Sequence, residues 1–167
     1  MSTTKSTPPA AAEARAAQPA NLMDTVRRLL EAGNPDAAME AIHRSGSKAP
    51  PVMNARGVCL LRLGKFEPAV AIFRDLVFPA GSFTMELQTP TVYQANYVLS
   101  LLLNGNPMVA MSVLGEIEDR DHPAVAKVRQ AIKQWKKKLP LLSRALLLVG
   151  VCPDTPVTLD GPPGELL

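Results

Sequence analysis

The chain has 167 residues, which is enough for one domain with a sizeable core and too few for two full domains. Apolar residues make up 47% of the sequence and aromatic residues only 4%, so aliphatic side chains must fill the core, which favours helix-on-helix packing. The net charge of +3 is too small to indicate nucleic-acid binding. The two cysteines, Cys59 and Cys152, fit reduced thiols in a cytoplasmic protein better than a disulfide or a metal site.

The first segment, residues 1–19, is rich in Ala, Pro, Ser and Thr and has no large apolar residue after Met1. Such a composition cannot bury enough surface to offset the entropy of ordering, so we expect a disordered leader. It lacks the apolar region of a secretory signal peptide, and its Pro8–Pro9 pair and poor amphipathicity argue against a transit peptide.

From residue 20 onward the apolar spacing is helical, and one pattern occurs three times. Each copy has an apolar run, a turn glycine, a small residue and then a large apolar residue in a second helix. These three positions are Gly33, Ala38 and Ile42 in the first copy, Gly64, Ala69 and Phe73 in the second, and Gly105, Ala110 and Leu114 in the third. The repetition predicts three helical hairpins, at about 20–50, 51–81 and 90–122.

The pattern resembles the tetratricopeptide repeat, in which pairs of short helices stack on copies of themselves. The family's small residue in the first helix matches Gly57 in the middle copy, its alanine matches Ala69, and its aromatic residue matches Phe73. The family's tryptophan near the start of the first helix is absent. The resemblance implies an all-α fold, a superhelical stack of helical hairpins with a concave groove lined by the first helices.

The family's register places ten residues of this chain in that groove. They are Met23, Arg27 and Leu30 in the first copy, Asn54, Val58, Leu61 and Arg62 in the second, and Ala95, Leu99 and Leu102 in the third. A groove of this composition is mainly apolar and suits an extended or helical peptide. It lacks the Lys/Asn set by which some family members hold a C-terminal carboxylate. The alternative is that these side chains belong to the core or are covered by the protein's own tail.

The segments outside the repeats follow in order. Residues 77–90 predict a long loop between the second and third hairpins, whose role the sequence leaves open. Residues 123–138 predict a helix with one basic face that covers the open end of the stack, with Trp135 packed on the third repeat. Residues 139–167 contain an apolar segment, which we expect to fold back on the stack as a helix or an extended segment, and a tail rich in Pro and Gly.

The sequence shows no carboxylate pair, nucleophile motif or metal-ligand spacing, so we expect neither enzymatic activity nor a cofactor or metal. His43 and His122 are each expected near a helix end, where the helix dipole favours a cation.

The sequence therefore predicts a protein–protein interaction module, namely an adaptor, scaffold or small chaperone whose protein or peptide partner it does not identify. The alternative is an assembly factor held at a membrane surface or in a large complex by the basic helix and residues 141–151. A third hypothesis is that VTLDGPPGELL, with Leu159, Leu166 and Leu167, occupies the groove of its own chain. The oligomeric state stays open, because the same groove could serve self-association.

Overall fold

The computed structural model describes residues 21–78, 85, 88–148, 155–157, 159 and 161–166. Within these residues the chain is all-α and contains no strand. The predictions for the leader, for most of the 77–90 loop, for Cys152 and for Leu167 concern residues outside the described ranges.

Eight helices follow one another along the described chain. They are α1 (21–31), α2 (Pro35–Ser45), α3 (Pro50–Arg62), α4 (Phe66–Val77), α5 (Thr91–Leu103), α6 (Pro107–Glu116), α7 (Pro123–Lys138) and α8 (Leu141–Leu148). The first six form the three hairpins that the repeated pattern predicts, and every helix–helix turn falls at the aligned glycine. Pro35 and Pro107 begin the second helix of their hairpins, as expected of proline at a first helical position.

The three hairpin turns share one backbone conformation. Gly33, Gly64 and Gly105 have φ angles of 71°, 70° and 78°, in the left-handed region where glycine has no steric penalty. In each turn the residue after the glycine donates its N–H to a carbonyl five residues back, as from Lys65 to Leu60 at 2.9 Å. Common turn geometry makes each hairpin fold back by the same local interactions, so the stack has a regular construction.

Consecutive helices pack against one another to build a single core. Contacts join α2 to α3, α3 to α4, α4 to α5 and α5 to α6, and α3 also touches α5. Helix α5 is the most enclosed, because every residue from Val92 to Leu102 is buried. The core is mostly Val, Leu, Ile and Ala, in keeping with the low aromatic content.

The closest helix crossing lies between α3 and α4. Gly57 faces the fully buried ring of Phe73, and a Cβ at position 57 would lie 2.4 Å from Phe73 Cζ. No real Cβ sits that near another heavy atom, so the aromatic ring occupies the space that glycine leaves. Ala69, the small residue that the repeat pattern places in α4, is also fully buried.

Helix α7 packs on α5 and buries Val125, Val128 and Ile132, so it covers part of the third hairpin. His122 precedes this helix, and its Nδ1 accepts a hydrogen bond from Ala124 N at 3.1 Å. His122 thus lies at a helix terminus, but at the amino end, where its imidazole caps the helix; the expectation of a cation favoured by the dipole at a carboxyl end is wrong. His43 lies in the last turn of α2, as expected.

Helix α8 leaves its first two residues outside the core. Leu141 and Leu142 are 81% and 73% exposed, directly after the lysines that end α7. Arg144 reaches back and donates from Nε to Leu139 O at 3.0 Å, and from its guanidinium to Lys137 O. Residues 141–148 of the apolar segment thus form a helix, and the first two of them are not buried against the stack; the rest of that segment lies outside the described ranges.

Candidate functional site

The first helices of the hairpins, α1, α3 and α5, share one face with α7. This face encloses a cavity of about 570 Å³. The opposite wall is formed by the Pro- and Gly-rich end of the chain, including Leu159 and residues 161–166. We call the helical face the groove, and the described residues 155–157, 159 and 161–166 the tail.

Two asparagine side chains hold the tail by its backbone. Asn96 Nδ2 donates to the carbonyl of Glu165 at 2.8 Å, and the backbone N–H of Glu165 donates to Asn96 Oδ1 at 3.0 Å. Asn54 Nδ2 donates to the same carbonyl at 3.2 Å, and Asn96 Nδ2 also donates to Asn54 Oδ1 at 2.9 Å. Both asparagines are buried, at 0% and 2% exposure. Buried side-chain amides need hydrogen-bond partners, and here the partner is the peptide group of Glu165. The two asparagines therefore recognise the backbone of the tail and not a side chain.

Next to this pair the tail touches the floor of the groove. Gly164 is buried with φ at 82°, and a Cβ there would lie 3.1 Å from Val58 Cγ2 and 3.2 Å from Leu61 Cδ1. A residue with a side chain at position 164 would have to adopt a left-handed backbone conformation that is unfavourable for it. Its side chain would also collide with the buried side chains of the groove floor. The groove thus admits the tail backbone most closely at a glycine.

Further contacts fix the two ends of the tail. The Lys127 ammonium forms an ion pair with the Glu165 carboxylate, and Leu166 packs on the core. At the other end, Trp135 Nε1 donates to the carbonyl of Thr155 at 3.0 Å. Trp135 is therefore buried with its polar edge satisfied by the tail, a contact that the sequence did not predict, since we expected this ring to pack on the third repeat.

The ten sequence-predicted groove residues divide into three sets. Arg27, Leu30, Arg62, Ala95 and Leu99 line the cavity. Asn54, Val58 and Leu61 lie against the tail. Met23 and Leu102 belong to the hydrophobic core or pack against it. The structure therefore brings eight of them to the groove, partly covered by the tail of the same chain.

Asn96 and Lys127 contact the tail but were not among the residues predicted for the groove, and Gly164 and Glu165 lie in the VTLDGPPGELL segment of the third hypothesis without having been singled out in it. Asn96 had a recognisable signal, because it stands inside the apolar run of α5, where an amide must find a partner. The others had none, since their roles depend on where the tail crosses the groove.

Arg62 connects the cavity wall to the stack. Its guanidinium donates from Nη1 to Leu30 O at 2.8 Å, near the carboxyl end of α1. Its Nε is buried and has no hydrogen-bond partner in the described part of the chain.

The Cys59 side chain does not line the cavity. Cys59 is a free, fully buried thiol, and desolvation by burial raises its pKa from 9.0 to about 11, against a smaller opposite effect of Arg62. No cluster of three or more His, Cys, Asp or Glu side chains suited to a metal ion occurs among the described residues. In the same part of the chain, no helix is long and apolar enough to cross a bilayer.

In comparisons with known proteins, no protein-family model, no curated protein and no solved structure matches this chain.

Proposed function

We propose that the chain is a non-enzymatic binding module of tetratricopeptide-like construction, an adaptor, scaffold or small chaperone that holds an extended protein segment in the groove. One observation carries the proposal: the groove binds a peptide backbone, that of Glu165, through both its N–H and its C=O. Such recognition gives affinity for extended chain independent of sequence, while neighbouring pockets add specificity.

The tail supplies the means of testing this. Replacing Gly164 by Val places a Cβ within 3.3 Å of Val58 and Leu61, and imposes a side chain on a φ of 82°, so the tail should leave the groove. The matched control is Gly161→Val, because a Cβ at position 161 meets nothing within 4 Å and its φ is not positive.

The experiment is a selection of random displayed peptides on the full-length chain carrying Gly164→Val. We expect enriched peptides that bind this variant, bind the Gly161→Val chain more weakly, and lose binding when Asn96→Leu is added to Gly164→Val. Enrichment that does not depend on Asn96, or no enrichment from a library of extended peptides, would contradict a peptide-binding groove.

A second function is favoured by a separate surface. The basic end of α7 continues into exposed Leu141 and Leu142, and a shallow depression there is lined by Ile132, Lys133, Lys136, Lys137 and Arg144. Cationic side chains beside exposed leucines suit attachment to an anionic membrane surface. In this version the protein is an assembly factor held there by α7 and residues 141–151.

Co-sedimentation with vesicles of anionic or neutral lipid tests the second function. We expect binding to anionic vesicles that is lost when Lys136, Lys137 and Lys138 are replaced by Ala. A triple Ala variant at the exposed positions Lys48, Arg56 and Lys65 removes the same charge elsewhere and should still bind. Equal binding of both variants would exclude the electrostatic attachment.

A further inference from the structure

We propose that the partner segment is a chemical likeness of the tail: an extended acidic peptide with the order glycine, acidic residue, apolar residue, which displaces the tail from the groove. The inference rests on the proposed function and specifies its ligand. The three positions correspond to Gly164, Glu165 and Leu166.

The glycine requirement comes from the floor of the groove. The backbone at position 164 approaches Val58 and Leu61 so closely that a Cβ would stand 3.1–3.3 Å from their methyl groups. Those two side chains are 0% and 1% exposed, so they have little room to move away. The backbone of a ligand with a larger residue at this position would lie further from Val58 and Leu61. The next peptide group of that ligand would then lose its hydrogen bonds to Asn54 and Asn96.

The next position is fixed through its peptide group and its charge. Its N–H must donate to Asn96 Oδ1 and its carbonyl must accept from both asparagines, which excludes proline. Its carboxylate pairs with Lys127. The third position packs an apolar side chain on the core, as Leu166 does.

The tail leaves part of the groove unfilled, which favours a ligand from another molecule. The cavity of about 570 Å³ remains beside the tail. Apart from Glu165, its ionisable lining residues are Arg27, Arg62 and Lys127 against Glu31, so the groove without its tail has an excess of positive charge.

The test uses a fluorescein-labelled peptide of residues 155–167, TPVTLDGPPGELL, and the full-length chain carrying Gly164→Val, with binding followed by fluorescence anisotropy. We expect saturable binding to this chain and at least tenfold weaker apparent affinity for the unaltered chain, whose own tail competes. A chain with Glu165→Pro provides an independent released-tail variant, since proline removes the N–H that Asn96 accepts.

Substitutions in the peptide then test each position. Gly164→Val and Glu165→Pro in the peptide should each weaken binding at least tenfold. Glu165→Lys in the peptide should weaken binding several-fold, because it replaces the ion pair with Lys127 by a repulsion between two cations. The effect should be smaller at high salt, since the Lys127 side chain is largely exposed and its charge is screened. The control is Pro156→Val in the peptide, which should bind like the parent because Pro156 is exposed and does not line the cavity.

Parent-like binding of the Gly164→Val peptide would overturn the inference, as would displayed peptides enriched without the glycine–acidic–apolar order. Enriched peptides of another order that still depend on Asn96 would leave the proposed function standing. Absence of binding by any peptide to both released-tail chains would overturn the inference and the proposed function together.

Discussion

The asparagine pair predicts an unequal effect of two similar substitutions on tail release. Asn96 makes two hydrogen bonds to the Glu165 peptide group, at 2.8 and 3.0 Å, whereas Asn54 makes one, at 3.2 Å. A net hydrogen bond contributes about 0.5–1.5 kcal/mol, so Asn96→Leu should weaken tail docking by about 1–3 kcal/mol and Asn54→Leu by about 1 kcal/mol or less. The released fraction should rise about 5- to 150-fold for the first and about 5-fold or less for the second.

The released fraction can be measured with a glutamate-specific protease. The rate of cleavage after Glu165 is followed by mass spectrometry of the intact protein. When opening and closing are fast, the cleavage rate follows the population of the released tail. Gly161→Val should leave the rate unchanged, and urea unfolding of each variant separates tail release from loss of the whole fold. Equal acceleration by the two Asn→Leu changes, or a larger one for Asn54, would refute the assignment of Asn96 as the main contact.

Three further predictions concern the stack. Gly57→Ala should lower the free energy of unfolding by about 1–3 kcal/mol because its methyl group meets Phe73, and Phe73→Leu in the same chain should recover part of the loss, as measured by urea denaturation. His122→Ala should cost about 1 kcal/mol through the lost cap on Ala124 N, and His122→Ser should restore it. Between pH 9 and 10, stability should fall by up to about 1.4 kcal/mol per pH unit from Cys59, because this thiol, with its pKa raised to about 11, ionises first in the unfolded chain. Cys59→Ala should remove most of the slope, and the remainder should come from Tyr93 and Tyr97, whose pKa values burial also raises.

The helical hairpins were predictable because their signals are local. A glycine that ends one helix and a proline that begins the next are read from adjacent residues, and Gly33, Gly64 and Gly105 all adopt the expected left-handed turn. The register that aligned these turns also aligned the small residues of the second helices, and all three of these alanines are fully buried.

The groove was predictable only on its helical side. Asn54, Val58 and Leu61 follow from the helical period, but their contacts lie more than one hundred residues further along the chain. The sequence suggested tail docking through its leucines, whereas the structure holds the tail chiefly by the Glu165 peptide group. Backbone contacts of this kind leave no side-chain pattern, so Glu165 could not be assigned in advance. Lys127 could not be assigned either, because its ion pair with the Glu165 carboxylate depends on where the tail crosses the groove.

His122 shows the limit of an argument from helix ends. The sequence placed it near the end of a helix, where the dipole favours a cation. Pro123 in fact begins α7, so His122 stands on the amino side and accepts a hydrogen bond. The following proline carried this information, since a proline is tolerated at a helix start and not within the helix.

If the tail competes with a partner peptide for the groove, the apparent affinity for the peptide is proportional to the fraction of chains with a released tail. This proportionality gives a final prediction. If the groove accepts either the tail or a peptide, the apparent dissociation constant of the peptide is the intrinsic constant divided by the released fraction. Changes confined to the tail, namely Gly164→Ala, Gly164→Val and Leu166→Ala, alter only that fraction and leave the groove unchanged. The cleavage rate of each variant is first divided by the cleavage rate of a free peptide with the same substitution. Each variant should then raise the affinity for the labelled parent peptide by the same factor as it raises this normalised cleavage rate.

When the gain in peptide affinity is plotted against the gain in cleavage rate on logarithmic axes, the tail variants should fall on a line of slope one. The line should end in a plateau when the tail is fully released. Asn96→Leu should depart from this line, because it releases the tail and also removes the groove's own contact with the peptide. Tail variants that are cleaved faster without binding the peptide more tightly would show that peptide and tail occupy different places. The asparagine pair would then serve only to hold the tail.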